Sequence, residues 1–298
     1  MQFIAFRKFI CTAVSALIPY KVLRHRVRYL LDPLNDRRCT AYFSRKYATP
    51  LAGASQTKET VNRNTHTEYI WQCWLQGRQA APPIVDLCLR SVEKHRLPHQ
   101  QIVVITEENY TEYVDIPHFI IKKRAQGKIA DAQFSDLLRI YLLATYGGYW
   151  IDATCLLTAP IPDWIEKAEF FMYHSHGEFA YTLIQSCFIR AKTESYLIQQ
   201  WKTLMTDLWK NENRLLHYFQ LHLMFKAMIT SDKRAACEYR NMSAVPEDDT
   251  HILFNRMKKS HSLSQEMIEE AARKSFIHKL TYKISLENKQ LPDIFKKH

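Results

Sequence analysis

The chain has 298 residues, of which 47% are hydrophobic and 24% are charged, the composition of an ordinary globular protein. Its formal net charge of +11 is concentrated in residues 1–46, where ten Lys or Arg residues and two Asp residues give a balance of +8. A nucleic-acid-binding protein would carry its charge across a folded groove lined with stacking aromatic residues, so no nucleic-acid partner is expected. The seven cysteines show no C-x-x-C or zinc spacing, which is typical of reduced thiols in a cytosolic protein.

The first 46 residues are both basic and hydrophobic. Apolar residues recur there at helical spacing, and the run between Phe9 and Pro19 is too short to cross a bilayer, which needs about 20 residues. We predict that residues 1–46 form an amphipathic arm on an anionic membrane surface, which makes the protein peripheral on the inner face of the cell membrane. Two alternatives remain open, a secretory signal peptide and an ordinary amphipathic helix packed on the domain.

Residues 47–66 are polar and predict a linker, after which strand and helix patterns alternate. Strands are predicted at 68–74, 101–106, 149–157, 169–174 and 184–191. Helices are predicted at 82–96, 107–114, 130–146, 194–212, 215–229 and 262–274, the last with a capping box that begins at Ser262. This alternation predicts one α/β domain over residues 67–298, with a mostly parallel central sheet that binds its ligand at the carboxyl ends of the strands.

The predicted helix at 130–146 carries two opposite charges, Asp136 and Arg139, in the middle of a mostly apolar sequence. Ile140 and Leu143 share their side of the helix, so that side is predicted to be buried. Buried charges are rare unless they are paired or belong to a site. The alternative is a solvated i,i+3 ion pair, and it agrees less well with the apolar neighbours.

A third charged residue, Asp152, interrupts the apolar strand pattern that follows Gly147 and Gly148. A carboxylate at the end of a central strand is well placed to hold a ribose hydroxyl or a hard divalent cation. The alternative is a structural aspartate that caps the strand end.

Four stretches resemble the capsular polysaccharide synthesis proteins, bacterial sugar transferases related to the glycosyltransferases that have a D-x-D sugar-binding region. They are WQCW at 71–74, PPIVDLCLRSVEKH at 82–95, GKIADAQFSDLLRIYLLATYGGYWIDAT at 127–154 and HKLTYK at 278–283. The resemblance implies a GT-A fold, which is Rossmann-like, and a nucleotide-diphosphate-sugar donor, expected to be a UDP-sugar. It further implies that a hexose is transferred, with retention of anomeric configuration, to a growing lipid-linked surface polysaccharide.

The resemblance also assigns roles to the three charged residues. Asp136 and Arg139 are expected to bind hydroxyls of the donor sugar. Asp152 matches the first acid of the D-x-D motif, which contacts ribose, sugar or metal. Thr154 stands where the second acid would be, so the dependence on a divalent cation, Mn²⁺ or Mg²⁺, is expected to be weaker than in D-x-D enzymes.

The ends of the resembling region supply five further candidates. Trp71 and Gln72 are expected where the first strand meets the nucleotide base, although Trp71 also fits a core position. His278 is expected to complete the metal shell, with Thr154 as a further ligand. Lys279 and Lys283 are expected to steady the diphosphate leaving group. A basic surface segment without such a role is the alternative.

Other function classes lack their motifs. No G-x-G-x-x-G, P-loop or G-x-S-x-G sequence is present. This argues against dinucleotide enzymes, NTPases and hydrolases of the α/β class as functions of this chain. The alternative to an enzyme is a catalytically weak or inactive, transferase-like protein that binds carbohydrate or acts as a scaffold at the membrane. The threonine at position 154 makes that alternative plausible.

Overall fold

A computed structural model describes residues 36–52 and 67–284. Its centre is a five-stranded sheet with the strand order β2-β1-β3-β6-β5. A second sheet pairs β4 with β7. The strands are β1 (Glu68–Cys73), β2 (Gln100–Ile105), β3 (Gly148–Ile151), β4 (Cys155–Leu157), β5 (Phe170–His174), β6 (Ile184–Ala191) and β7 (Ile277–Lys279).

The central sheet is mixed, with mostly parallel strands. β1 runs parallel to both β2 and β3, whereas β6 runs antiparallel to its neighbours β3 and β5. The predicted α/β class with a mostly parallel central sheet is therefore confirmed. The carboxyl ends of β1, β2 and β3 lie at one edge, which we call the carboxyl edge.

Besides the helical segment at 36–51, eight helices of at least eight residues lie in the described part of the chain. They are α1 (Pro83–His95), α2 (His118–Ala125), α3 (Asp131–Tyr146), α4 (Tyr196–Asn211), α5 (Gln220–Ser231), α6 (Lys233–Asn241), α7 (Ile252–Ser260) and α8 (Gln265–Ala272). Shorter helical turns occupy Arg78–Ala80, Tyr110–Tyr113, Asp163–Glu166, Gly177–Thr182 and Asp248–His251. The sequence patterns did not predict α2, α6 or α7. The cap of α8 is also corrected, because Ser264 rather than Ser262 accepts a hydrogen bond from the Met267 N–H.

The helix α3 is the buried centre of the fold. It contacts β1, β3 and α4, and its side chains from Leu137 to Leu143 are buried. The apolar stripe of α4 is buried as its periodicity predicts, because Leu197, Trp201, Leu204 and Leu208 are all fully covered. A charged pair on α3 therefore lies among hydrophobic layers.

The predicted strand at 149–157 is wrong as a single element. The chain turns at residues 152–154, where the Asp152 N–H donates to Cys187 O (2.9 Å) and the Cys155 N–H donates to Asp152 O (2.8 Å). After the turn, β4 leaves the central sheet and pairs with β7. The turn leaves Asp152 at the carboxyl edge, between the two sheets.

A close backbone contact joins α3 to β3. Gly147 ends the helix with φ of 67°, and its N–H donates to Leu143 O at 2.8 Å. Gly148 has φ of 91°, and a Cβ atom at this position would lie 2.2 Å from the backbone oxygen of Tyr69. No side chain can be accommodated there, so β3 can pair with β1 only through a glycine.

Residues 36–51 are helical, with a π-helical turn at Ser44–Ala48, and they pack on α4 and α5. This segment surrounds the carboxylate of Glu212, which is 1% exposed. Its Oε1 atom accepts hydrogen bonds from Tyr42 Oη (2.6 Å), Tyr47 Oη (2.6 Å) and Lys46 Nζ (2.8 Å). The structure therefore places residues 47–51 in a packed helix rather than in the predicted linker.

The remainder of the predicted arm, residues 1–35, and of the predicted linker, residues 53–66, lies outside the described residues. Among residues 36–52 and 67–284, no helix combines the length and apolar content that crossing a membrane requires.

Candidate active site

Three charged residues that are separated in the sequence meet at the carboxyl edge. Nη2 of Arg139 lies 3.1 Å from Oδ1 of Asp136, one turn earlier on α3. The same nitrogen lies 3.5 Å from Oδ1 of Asp152, in the turn after β3. The guanidinium therefore links the two carboxylates.

The position of Arg139 is fixed by further contacts. Its Nη1 donates to the carbonyl oxygen of Ser186 on β6 (2.6 Å), and its guanidinium lies 5.0 Å from the ring centroid of Trp150. The Trp150 indole N–H in turn donates to Oδ1 of Asp152 at 2.8 Å. Nε of Arg139 is buried and has no hydrogen-bond partner among the described residues, so one of its donors is unsatisfied there.

The two carboxylates differ in their electrostatics. Burial raises the pKa of Asp136 to about 6, although the nearby Arg139 acts in the opposite direction. Burial also acts to raise the pKa of Asp152, but the positive charges of Lys279 and Arg139 outweigh it and hold that pKa well below the ordinary value. Asp152 therefore stays ionised, whereas Asp136 is much more readily protonated.

Lys279 completes the group from the other sheet. Its Nζ lies 2.7 Å from Oδ2 of Asp152 and 2.8 Å from Oγ1 of Thr154. The pairing of Cys155 with Lys279 between β4 and β7, and a 2.8 Å hydrogen bond from the Leu280 N–H to Thr154 O, hold it there. Burial acts to lower the pKa of Lys279, but Asp152 outweighs it, so the net effect raises the pKa and the ammonium stays charged.

The structure does not bring His278 into this group. Side chains alternate along β7, so His278 and Lys279 point to opposite faces. His278 is fully buried, its Nε2 lies 3.2 Å from Oγ1 of Thr158, and burial lowers its pKa to about 4. Its predicted role as a metal ligand beside Asp152 is therefore corrected to a core position. Lys283 is exposed.

Trp71 is a core residue in the structure. It is fully buried, its indole N–H donates to Gly147 O at 3.0 Å, and its ring stacks on Tyr69. No face of the indole is open to a nucleotide base, which corrects the predicted stacking role. Gln72 is also fully buried, and neither atom of its amide has a hydrogen-bond partner among the described residues.

Sequence reasoning missed Trp150, Ser186 and Trp74. Trp150 had a signal, because it precedes Asp152 by two residues and period-two alternation puts both side chains on one face. Ser186 contributes a backbone carbonyl, which no side-chain motif reveals. Trp74 directly follows β1 and packs on the cluster that contains Ala153, beside Asp152. Its ring lies 5.3 Å from that of Tyr282.

A separate cluster lies at the opposite edge of the sheet, where β1 and β2 begin. Glu68, His99 and Glu166 each place one potential metal-ligand atom within 4.8 Å of the others. Arg190 already pairs with Glu68, with Nη2 at 2.6 Å from Oε1, and so neutralises part of this cluster.

Comparison with known proteins identifies a family whose match includes the residues of this site. The sequence model of the family described as capsular polysaccharide synthesis protein matches residues 33–298, which contain every residue of the site. The chain belongs to the capsular polysaccharide synthesis protein family. The resemblance predicted from the sequence is confirmed. The family match also begins before the predicted domain boundary and takes in the described helical segment at 36–51.

A named relative is the O-glycosyltransferase braB of Annulohypoxylon truncatum. It is 25% identical over 189 residues, which cover 57% of this chain and 44% of that protein. The chain thus spans less than half the length of this relative.

Two solved structures share a more distant similarity. The glycosyltransferase GlyE of Streptococcus pneumoniae TIGR4 has a TM-score of 0.44 and 9% identity, over 76% of this chain and 57% of that one. The PaToxG glycosyltransferase has a TM-score of 0.39 and 12% identity, over 92% of this chain and 99% of that one.

Proposed function

We propose that this member of the family is a GT-A glycosyltransferase that moves a hexose from a nucleotide-diphosphate sugar, a UDP-sugar, to a growing lipid-linked surface polysaccharide. The observation that carries the proposal is the meeting of Asp136, Arg139, Asp152 and Lys279 at the carboxyl edge of a mostly parallel sheet. Two carboxylates and two cations at that edge suit a ligand with both hydroxyl and phosphate groups. Family membership supports the same conclusion.

In this proposal Asp136 and Arg139 hold the donor sugar. The carboxylate of Asp136 is 24% exposed and accepts hydrogen bonds from sugar hydroxyls. The unpartnered Nε of Arg139 donates to a hydroxyl oxygen. Because Trp150, Ser186 and Asp152 already hold the guanidinium, little conformational entropy is lost when the sugar binds.

The nucleotide lies on the other side of Asp152. Trp74 and Tyr282 form an edge-to-face pair there, and Tyr282 is 43% exposed. We propose this pair, in place of Trp71, as the contact for the nucleotide base. Lys279 then lies near the diphosphate, where its positive charge stabilises the charge that develops on the leaving group.

Retention is part of the proposal and does not require a protein nucleophile. The bond between the anomeric carbon and the diphosphate oxygen breaks while the acceptor hydroxyl attacks from the same face. The hydroxyl proton passes to the departing phosphate oxygen. The protein positions the sugar through Asp136 and Arg139 and neutralises the phosphate through Lys279.

The predicted Mn²⁺ or Mg²⁺ does not fit the residues around Asp152. His278 lies on the other face of β7, and the ammonium of Lys279 occupies the space between Asp152 and Thr154. No step of the proposed reaction therefore passes through a metal ion.

Donor binding is tested with a panel of nucleotide sugars and thermal unfolding. A UDP-sugar is expected to raise the melting temperature of the wild-type chain, and free nucleotide should be released slowly in the absence of acceptor. Asp152→Asn is expected to weaken binding at least tenfold, because it removes the charge that holds Lys279 and Arg139 in place. If no nucleotide sugar stabilises the wild type, the transferase proposal fails.

The alternative function is an inactive carbohydrate-binding protein at the membrane, and the threonine at position 154 favours it. The same panel separates the two functions. A carbohydrate-binding protein should be stabilised by oligosaccharides, should ignore nucleotides and should release none.

We also propose that the basic arm holds the enzyme at the inner, cytoplasmic face of the membrane, where a lipid-linked acceptor is found. Replacing the four Lys and Arg residues within 21–28 by Gln is expected to reduce binding to phosphatidylserine vesicles at least tenfold, since each charge contributes about 1 kcal/mol. Replacing the exposed Lys258, Lys259, Arg273 and Lys274 by Gln removes the same number of charges from the folded domain and is the matched control. Equal co-sedimentation of all three proteins would reject the anchor.

A further inference from the structure

The ammonium of Lys279 lies where a D-x-D site would bind its cation. Nζ contacts one oxygen from each end of the D-x-T sequence, Oδ2 of Asp152 at 2.7 Å and Oγ1 of Thr154 at 2.8 Å. The backbone register of β4 and β7 sets this position, because Cys155 is paired with Lys279. The contact is therefore part of the fold rather than a chance meeting of flexible side chains.

The charges at the site are already balanced without a metal ion. Asp136 and Asp152 carry two negative charges when ionised, and Arg139 and Lys279 carry two positive charges. The second oxygen of Asp152 is also engaged, by the Trp150 indole N–H at 2.8 Å. A divalent cation would need oxygen ligands at about 2.0–2.6 Å in place of these contacts, and it would be repelled by both side-chain cations.

The ammonium retains capacity for a ligand. Lysine has three N–H donors, and two of them are directed at Asp152 and Thr154. The side chain is 24% exposed, and its third donor is not used by either of these contacts. A phosphate oxygen of the donor is the acceptor that suits a positively charged donor in this position.

We propose that Lys279 is the resident cation of this site: it takes the place and the electrostatic role of the divalent metal, so that donor binding and transfer need no metal ion. This inference rests on the proposed function for its phosphate ligand, but the exclusion of metal from Asp152 can be measured independently. This inference also explains why threonine can stand at position 154: with the ammonium of Lys279 in place of a metal ion, a second carboxylate is not needed as a metal ligand.

The first experiment measures UDP affinity by calorimetry and transfer or donor hydrolysis, in excess chelator and with Mn²⁺. The wild type should show the same values in both conditions. Lys279→Ala should bind UDP at least tenfold more weakly in chelator, because a charge-assisted hydrogen bond is lost. Lys279→Arg should keep most of the affinity, and Lys274→Ala, an exposed lysine before β7, should match the wild type.

The second experiment follows Mn²⁺ alone by electron paramagnetic resonance, without nucleotide. The wild type and Thr154→Asp, which both keep the ammonium, should bind no more Mn²⁺ than Asp152→Asn, which sets the level due to the separate cluster of Glu68, His99 and Glu166. Lys279→Ala combined with Thr154→Asp opens the position and supplies two carboxylates, so it should bind Mn²⁺ and become Mn²⁺-dependent in UDP binding.

Three outcomes would overturn the inference. They are loss of wild-type UDP affinity in chelator with recovery in Mn²⁺, binding of Mn²⁺ by the wild type that Asp152→Asn removes, and unchanged UDP affinity of a folded Lys279→Ala variant in chelator. Circular dichroism establishes whether each variant is folded. If Lys279→Ala does not fold, the wild type and Thr154→Asp still decide the question in the Mn²⁺ experiment. If the wild type binds no nucleotide, the proposed function fails, and the Mn²⁺ experiment alone decides whether Lys279 excludes a metal.

Discussion

Asp136→Asn is expected to lower the turnover number for sugar transfer about a hundredfold or more, because a group that positions the sugar at the reacting centre is lost. Asn is nearly isosteric with Asp, and Arg139 keeps its contacts with Asp152 and the Ser186 carbonyl. The fold and the affinity for free nucleoside diphosphate should therefore change little. Steady-state transfer kinetics and UDP calorimetry on the same preparation measure the two effects.

The pH dependence of stability offers an independent reading of the same variant. Burial raises the pKa of Asp136 to about 6 from an ordinary 3.8, so the folded chain binds this proton more tightly than the unfolded chain does. The contribution to stability is complete below 3.8 and is lost as the pH rises through about 6. Between pH 3.8 and about 6, the free energy of unfolding of the wild type should therefore fall by up to about 3 kcal/mol relative to that of Asp136→Asn. The difference arises because asparagine does not titrate.

The matched control is Asp131→Asn, in the first turn of the same helix. Asp131 is 60% exposed, and its ion pair with Arg124 at 3.1 Å lies at the surface. Its replacement should alter the free energy of unfolding by less than about 1 kcal/mol and leave turnover unchanged. Full transfer activity in Asp136→Asn would show that the ion pair on α3 is structural.

Gly148→Ala is expected to prevent folding or to lower the free energy of unfolding by more than about 4 kcal/mol, a loss seen only for severe defects. The new Cβ would lie 2.2 Å from the Tyr69 carbonyl oxygen, which belongs to the backbone of β1 and cannot move without breaking the pairing of β1 with β3. The φ of 91° adds strain for any L-residue. Soluble yield and urea unfolding followed by circular dichroism measure the effect.

Gly77→Ala separates the steric effect from the effect of backbone conformation. Gly77 also has a positive φ, 81°, but no atom lies within 4 Å of the Cβ that alanine would add. Its φ of 81° and ψ of 154° are a conformation that only glycine adopts readily, so its replacement should cost about 1–3 kcal/mol. Similar losses in the two variants would mean that β1 and β3 can separate to accommodate a methyl group.

The sequence was most informative where one physical rule acted alone. Charges among apolar residues in the middle of a buried helix have to be paired, and Asp136 and Arg139 are paired. Strands that alternate with helices predict a mostly parallel sheet, and four of its five strands run in the same direction. Asp152, which follows Gly147 and Gly148, lies at the carboxyl edge as the strand pattern indicated. It lies next to the ion pair of Asp136 and Arg139 on α3.

The errors arose where two elements compete for the same residues. The apolar run at 149–157 has the composition of one strand, and only the pairing of β4 with β7 shows why it divides at Asp152. That register also decides which of His278 and Lys279 faces Asp152, since a shift of one residue would exchange them. Trp71 was ambiguous, because a tryptophan on a central strand has the same local sequence whether it is buried or lies at the edge.

The hydrogen bonds around Glu212 bear on the order in which the chain folds during synthesis. Its partners Tyr42, Lys46 and Tyr47 precede it by 165 to 170 residues. The helical segment at 36–51 emerges from the ribosome long before its binding surface on α4 exists, and contacts of such long range form slowly. Until Glu212 has been translated, the apolar face formed by Phe43 and Tyr47 has no partner on α4, so nascent chains shorter than about 212 residues should be good chaperone clients.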